Sequence, residues 1–69
     1  MSENTIKLLS EHQRGYLKKV LKNREYFKKL GKKYVTVEKS IFSDEYKVYL
    51  QDYLEGKLFD NDIVEYIEL

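Results

Sequence analysis

The clearest periodic pattern lies in the first half of the chain, where apolar residues recur every three or four positions. This spacing places one side of a helix against a core, and it comprises Tyr16, Leu17, Val20, Leu21, Phe27 and Leu30. Ser10 and Gln13 form a capping-box pattern before it, in which each side chain serves the backbone N–H of the other. Gly31 suits the left-handed residue that follows a helix C-terminus. We therefore predict one long helix over residues 11–30.

The second half contains two shorter patterns of the same kind. Ser43 suits a helix N-cap, and Gly56 suits the end of that helix. Its apolar positions at helical spacing are Tyr46, Tyr49, Leu50, Tyr53 and Leu54. A third helix is predicted to begin at Asp60 or Asp62. Its apolar positions are Ile63, Val64, Tyr66 and Ile67.

Residues 31–43 lie between the first two predicted helices and fit a helix less well. Val35, Thr36 and Val37 are β-branched, which is typical of a strand, although no turn-linked partner strand follows them. An extended piece is favoured here over an early start of the second helix. The predicted fold is therefore mostly α, a single domain over 1–69. It has three helices and a short extended or irregular segment between the first two.

The net charge of +1 conceals a division of the chain into two oppositely charged halves. Residues 1–39 hold eleven Lys or Arg against four acids, whereas residues 40–69 hold two against eight. Such asymmetry is typical of a charged binding surface. It is equally expected when the two halves neutralise each other on folding or dimerisation.

The inventory of reactive side chains argues against catalysis. The absence of cysteine excludes disulfides and thiol chemistry. The single histidine, His12, has no partner pattern for acid–base catalysis. The acidic group in residues 60–65 lacks the spacing of a calcium-binding loop, so helix capping explains it better than a metal. We therefore expect no catalytic residues, no metal site and no cofactor.

Composition also bears on where the protein is found. No apolar run reaches the ~18 residues of a membrane span, and no segment resembles a signal peptide. We therefore expect a cytoplasmic protein without membrane contact. The abundance of Lys and Tyr and the absence of Ala and Pro indicate an AT-rich gene. Such a gene is expected in a low-GC bacterium or its phage.

The first predicted helix carries a row of basic residues away from its apolar side. On a helical projection Arg14, Lys18, Lys22 and Lys29 fall within about 80° of one another, and Lys32 and Lys33 extend the row. A one-sided row of this kind suits a phosphate backbone. The predicted nucleic-acid contacts are Lys18, Lys22, Lys29, Lys32 and Lys33.

Two further features favour contacts with protein. Arg24 projects onto the apolar side of the first helix, so we expect it to pair with a carboxylate of the acidic half, in this chain or in a second subunit. Tyrosine is enriched at protein interfaces, and the second predicted helix carries several beside acids. The predicted partner-binding residues are Tyr46, Tyr49, Asp52 and Tyr53.

Two functional hypotheses follow. The leading one is a small non-enzymatic module for protein–protein interaction, such as an adaptor, inhibitor or regulator. It binds an unidentified protein or acts as a homodimer, because self-association often supplies a short chain with buried area. The alternative is a nucleic-acid-binding protein that uses the basic side of the first helix.

Overall fold

The computed structural model describes residues 2–54 and 60–69, and this part of the chain contains three helices and three strands. The helices are α1 (Glu3–Lys7), α2 (Glu11–Lys22) and α3 (Arg24–Lys29). The strands are β1 (Tyr34–Ser40), β2 (Tyr46–Gln51) and β3 (Asn61–Glu68), in one antiparallel sheet of order β2-β1-β3. The fold is therefore α+β, and the prediction of a mostly helical, three-helix domain is wrong.

The predicted ends of the long helix are confirmed, but its continuity is not. The Ser10 hydroxyl accepts a hydrogen bond from the Gln13 N–H at 3.2 Å. At the other end Gly31 has a φ of 90°. Between them Asn23 leaves helical geometry and divides the segment into α2 and α3. Its side-chain amide donates to the Lys19 carbonyl at 2.8 Å, a local bond by which asparagine competes with helical hydrogen bonding.

Gln13 has a different role from the one that the capping box predicts. Its side-chain oxygen accepts a hydrogen bond from the Val48 backbone N–H at 2.9 Å, instead of returning to Ser10. Val48 lies in β2, which is an edge strand because it pairs only with β1 among the described strands. Gln13 therefore satisfies a backbone donor on the free edge of the sheet and fixes α2 to β2.

The hydrophobic core lies between α2 and one face of the sheet. Its buried residues are Leu9, Leu17, Val20, Val35, Val37 and Val48. The segment predicted to be extended is β1, the central strand, and this part of the prediction is confirmed. Because β1 is paired on both sides, four of its consecutive residues are buried, and they occupy both faces of the sheet.

The second predicted helix is wrong, since residues 46–51 form β2. Tyr46, Val48 and Leu50 alternate along this strand and pack on the core side. Tyr49 lies opposite Thr36, so it faces the other side of the sheet. The predicted end of that helix at Gly56 lies outside the described residues.

The third predicted helix is also wrong, because residues 61–68 form β3. Its pairing with β1 shifts register, with Val37 opposite Glu65 but Glu38 opposite Ile63. Val64 is therefore an extra residue on β3, as in a β-bulge. Within the described residues, no helix is long and apolar enough to cross a membrane.

Candidate nucleic-acid interface

The exposed side of α2 carries four basic residues, which we call the basic face: Arg14, Lys18, Lys19 and Lys22. All four are exposed, while Leu17 and Val20 on the opposite side are buried in the core. Arg14, Lys18 and Lys22 are spaced four residues apart, which corresponds to about 6 Å of rise per step. The packing of α2 on the sheet therefore aims these cations at solvent.

Among the described residues, the acids of the second half form no ion pair with the basic face. The ion pairs among the described residues are Lys32–Asp52 at 3.5 Å, Lys39–Asp44 at 4.0 Å and Lys47–Glu45 at 3.6 Å. None of them involves α2. The exposed side of α2 has one acid, Glu11, in its first turn. The exposed side of α2 thus carries four cations and one acid, with no ion pair to a described acid of the second half.

The five lysines predicted to contact nucleic acid do not form one row. Lys18 and Lys22 lie together on the basic face, and Lys29 lies beyond the break at Asn23, in the last turn of α3. Lys32 is half-buried and paired with Asp52. Lys33 is exposed where the chain enters β1. The structure thus places only two of the predicted five on α2, and it adds Arg14 and Lys19.

Arg24 connects α3 to the end of β3. Its guanidinium donates to the backbone oxygens of Glu68 at 2.9 Å and Leu69 at 3.4 Å. The expected partner in the acidic half was a carboxylate, whereas the observed acceptors are backbone oxygens. Arg24 is exposed, and these bonds fix it to the end of β3.

The residues predicted to bind a protein partner do not share a surface. Tyr46 packs against the core, and Tyr49 lies on the other face of the sheet. Asp52 and Tyr53 are exposed just beyond β2. The prediction placed these four residues on one side of a helix. Residues 46–51 form a strand instead, and side chains alternate between the two faces of a strand.

Sequence reasoning missed a polar cluster on the sheet face opposite α2. Glu38 is only 1% exposed. Its carboxylate accepts hydrogen bonds from the Thr36 hydroxyl at 2.7 Å, from the Gln51 amide, and from the Asn61 amide at 3.5 Å. These donors come from all three strands, so the carboxylate links the three strands through side-chain hydrogen bonds. A cavity of about 170 Å³ lies beside it, lined in part by Glu45.

A second carboxylate fixes α1 to the sheet. The Ser2 backbone N–H and hydroxyl donate to the Glu65 carboxylate at 2.9 and 3.3 Å. A hydrogen bond from the Thr5 side chain, followed by those from Ser2, lowers the pKa of Glu65 from its ordinary value of 4.5. These bonds favour the ionised form, so the contact between α1 and β3 depends on a charged Glu65.

We expect this contact to weaken in acid. Because the pKa of Glu65 is lower in the folded state, its contribution is complete above 4.5 and is lost as the pH falls through the lower folded value. Urea unfolding of the wild-type protein and Glu65→Gln, followed across pH, measures this contribution. The wild-type protein should be the more stable at neutral pH, and the difference should shrink in acid. A difference independent of pH would contradict the ionised contact.

Comparisons of the chain with family models, with curated proteins and with solved structures find no match. Function must therefore be argued from the geometry and charge of the described residues.

Proposed function

We propose that this protein binds nucleic acid through the basic face of α2. The observation that carries the proposal is the exposure of Arg14, Lys18, Lys19 and Lys22 without an ion pair to any described acid. Cations that are not paired with acids of the same protein can displace the counterions of a phosphate backbone. The release of these counterions drives association.

The composition of the surface favours contacts with the backbone over base recognition. Discrimination of bases in the major groove relies on bidentate side chains, with arginine on guanine as the commonest contact. The chain has two arginines, and Arg24 is already bonded to the end of β3. Lysines on an exposed helix act as point charges that suit phosphates. The proposed binding is therefore independent of base sequence.

The hypothesis of a protein-binding module or homodimer was based on tyrosines that share one surface. In the structure Tyr46 and Tyr49 lie on opposite faces of the sheet. The most exposed large apolar side chain of the described residues is Phe42, in the turn between β1 and β2, with exposed Ile41 beside it. A protein partner would contact this turn and not β2. The hypothesis remains a prediction, whereas the open basic face supports nucleic-acid binding.

The proposal is tested by the salt dependence of binding to a fluorescent duplex, measured by anisotropy. We expect the logarithm of the association constant to fall linearly with the logarithm of salt concentration. The double variant Lys18→Ala/Lys22→Ala should bind more weakly, with a slope smaller by about two. The matched control Lys7→Ala/Lys47→Ala removes the same charge from exposed positions outside α2, and it should keep the wild-type slope.

Two outcomes would overturn the proposal. The first is the absence of salt-dependent binding to duplex or single-stranded oligonucleotides at low salt. The second is an equal loss of affinity and slope in the α2 variant and its control, since that would show a response to net charge alone.

A further inference from the structure

The basic face contains a glycine at its centre. Gly15 lies within α2, on the exposed side of the helix. A Cβ atom at this position would meet no atom within 4 Å outside its chain neighbours and the adjacent backbone of α2. Position 15 therefore has open space where another residue would carry its Cβ.

Nothing in the described fold requires glycine there. Among the described residues, the glycine with a positive φ is Gly31, so the backbone of Gly15 suits an L-amino acid. Glycine in a helix interior is less stable than alanine, because it loses more conformational freedom on folding. Neither backbone conformation nor packing in the described fold explains Gly15, and the bare helix surface leaves room for a partner to approach α2 closely.

The surroundings of Gly15 show what kind of partner fits. Side chains on a helix lean toward its N-terminus, so each covers the surface over the preceding turn. Lys18, three residues on, is a neighbour of Gly15 on the helix surface, and Arg14 directly precedes Gly15 in the chain. Glu11, one turn earlier, is the one acid beside them. The result is a shallow groove of about 400 Å³, lined by Glu11, Arg14, Gly15 and Lys18.

We infer that the sugar–phosphate backbone of double-stranded DNA lies against Gly15, with one phosphate held between Arg14 and Lys18. The inference rests on the proposed function and identifies its partner and point of closest approach. A bare helix surface lets a phosphate come within reach of both cations of the groove, where a side chain at position 15 would hold it away. Single strands are bound by stacking bases on aromatic rings, and the groove over Gly15 is lined by no aromatic residue. A duplex backbone is the occupant that these residues fit.

The test compares the wild-type protein with Gly15→Ala and Gly15→Gln. Both substitutions should raise the melting temperature, because alanine and glutamine favour the helix. Both should weaken binding to a duplex, Gly15→Gln by about tenfold and Gly15→Ala by less, as expected for the loss of a hydrogen bond to a charged group. A variant that is more stable than the wild-type protein but binds DNA more weakly has an intact fold. Its weaker binding is then due to a lost contact with DNA.

A double-mutant cycle locates the phosphate. Lys18→Ala should weaken binding in the wild-type background, and it should have little further effect in Gly15→Gln, because the phosphate has already been displaced. Wild-type binding that is unaffected by Gly15→Gln, or that is tighter for a single strand than for the duplex, would overturn this inference and leave the proposed function standing. Failure of the wild-type protein to bind any nucleic acid would overturn both.

Discussion

Replacing Glu38 by alanine is expected to destabilise the protein by about 3 kcal/mol, because it leaves several buried hydrogen-bond donors without an acceptor. The Thr36 hydroxyl and the Gln51 and Asn61 amides all donate to this carboxylate. A domain of this size has a free energy of unfolding of roughly 3–10 kcal/mol. Loss of this one side chain should therefore unfold a large part of the population at moderate temperature.

Urea unfolding followed by circular dichroism measures this effect. Glu38→Gln keeps the shape of the side chain but replaces one acceptor oxygen by a donor, so its stability should lie between those of the wild-type protein and Glu38→Ala. The control Glu25→Ala removes an exposed glutamate of α3 and should change stability by less than about 0.5 kcal/mol. Equal effects of Glu38→Ala and Glu25→Ala would show that the carboxylate does not organise the sheet.

Leu17→Ala should be as damaging, for a different reason. Leu17 is buried in the core with Val20, Val35 and Val37, on the side of α2 opposite the basic face. Truncation of a buried leucine removes apolar contacts and leaves a cavity, at a cost of about 2–5 kcal/mol. The same unfolding measurement on Leu30→Ala, a leucine that is 59% exposed, should show little change. A small effect of Leu17→Ala would contradict the packing of α2 on the sheet.

The predictions that succeed are those with a local physical cause. Ser10 caps α2 with its own hydroxyl, and Gly31 adopts the left-handed conformation that follows a helix. The β-branched residues near Val35 form a strand because each fits a pleated, buried surface. The exposure of Arg14, Lys18 and Lys22 on α2 follows from helical geometry once the apolar side is known. None of these features depends on distant parts of the chain.

The predictions that fail concern segments whose conformation depends on a distant partner. Tyr46, Tyr49 and Leu50 satisfy helical spacing, but Tyr46, Val48 and Leu50 equally satisfy the alternation of a strand. Pairing with β1 decides between them. The turn between β1 and β2 contains neither glycine nor proline, so the usual signal of a hairpin is missing. In β3 the extra residue Val64 places two apolar residues together and imitates a helical pattern.

The site was predictable only in part for the same reason. The pairing of Lys32 with Asp52 and the acceptors of Arg24 follow from the sheet, which brings the end of β2 and the end of β3 close to the basic half. The buried Glu38 carried one available signal, its position directly after three strand-forming residues. Glu38 is buried in the central strand, and a buried carboxylate needs hydrogen-bond donors from its neighbours.

The central claim, that α2 binds nucleic acid through its basic face, is tested most directly by nuclear magnetic resonance. Backbone amide signals of the isotopically labelled protein are followed while an unlabelled DNA duplex is added at low salt. The account predicts that the largest shifts fall in residues 11–22, centred on Gly15, with small shifts in β1 and β2. Shifts concentrated around Tyr49 on the opposite face of the sheet, or an unchanged spectrum, would contradict it.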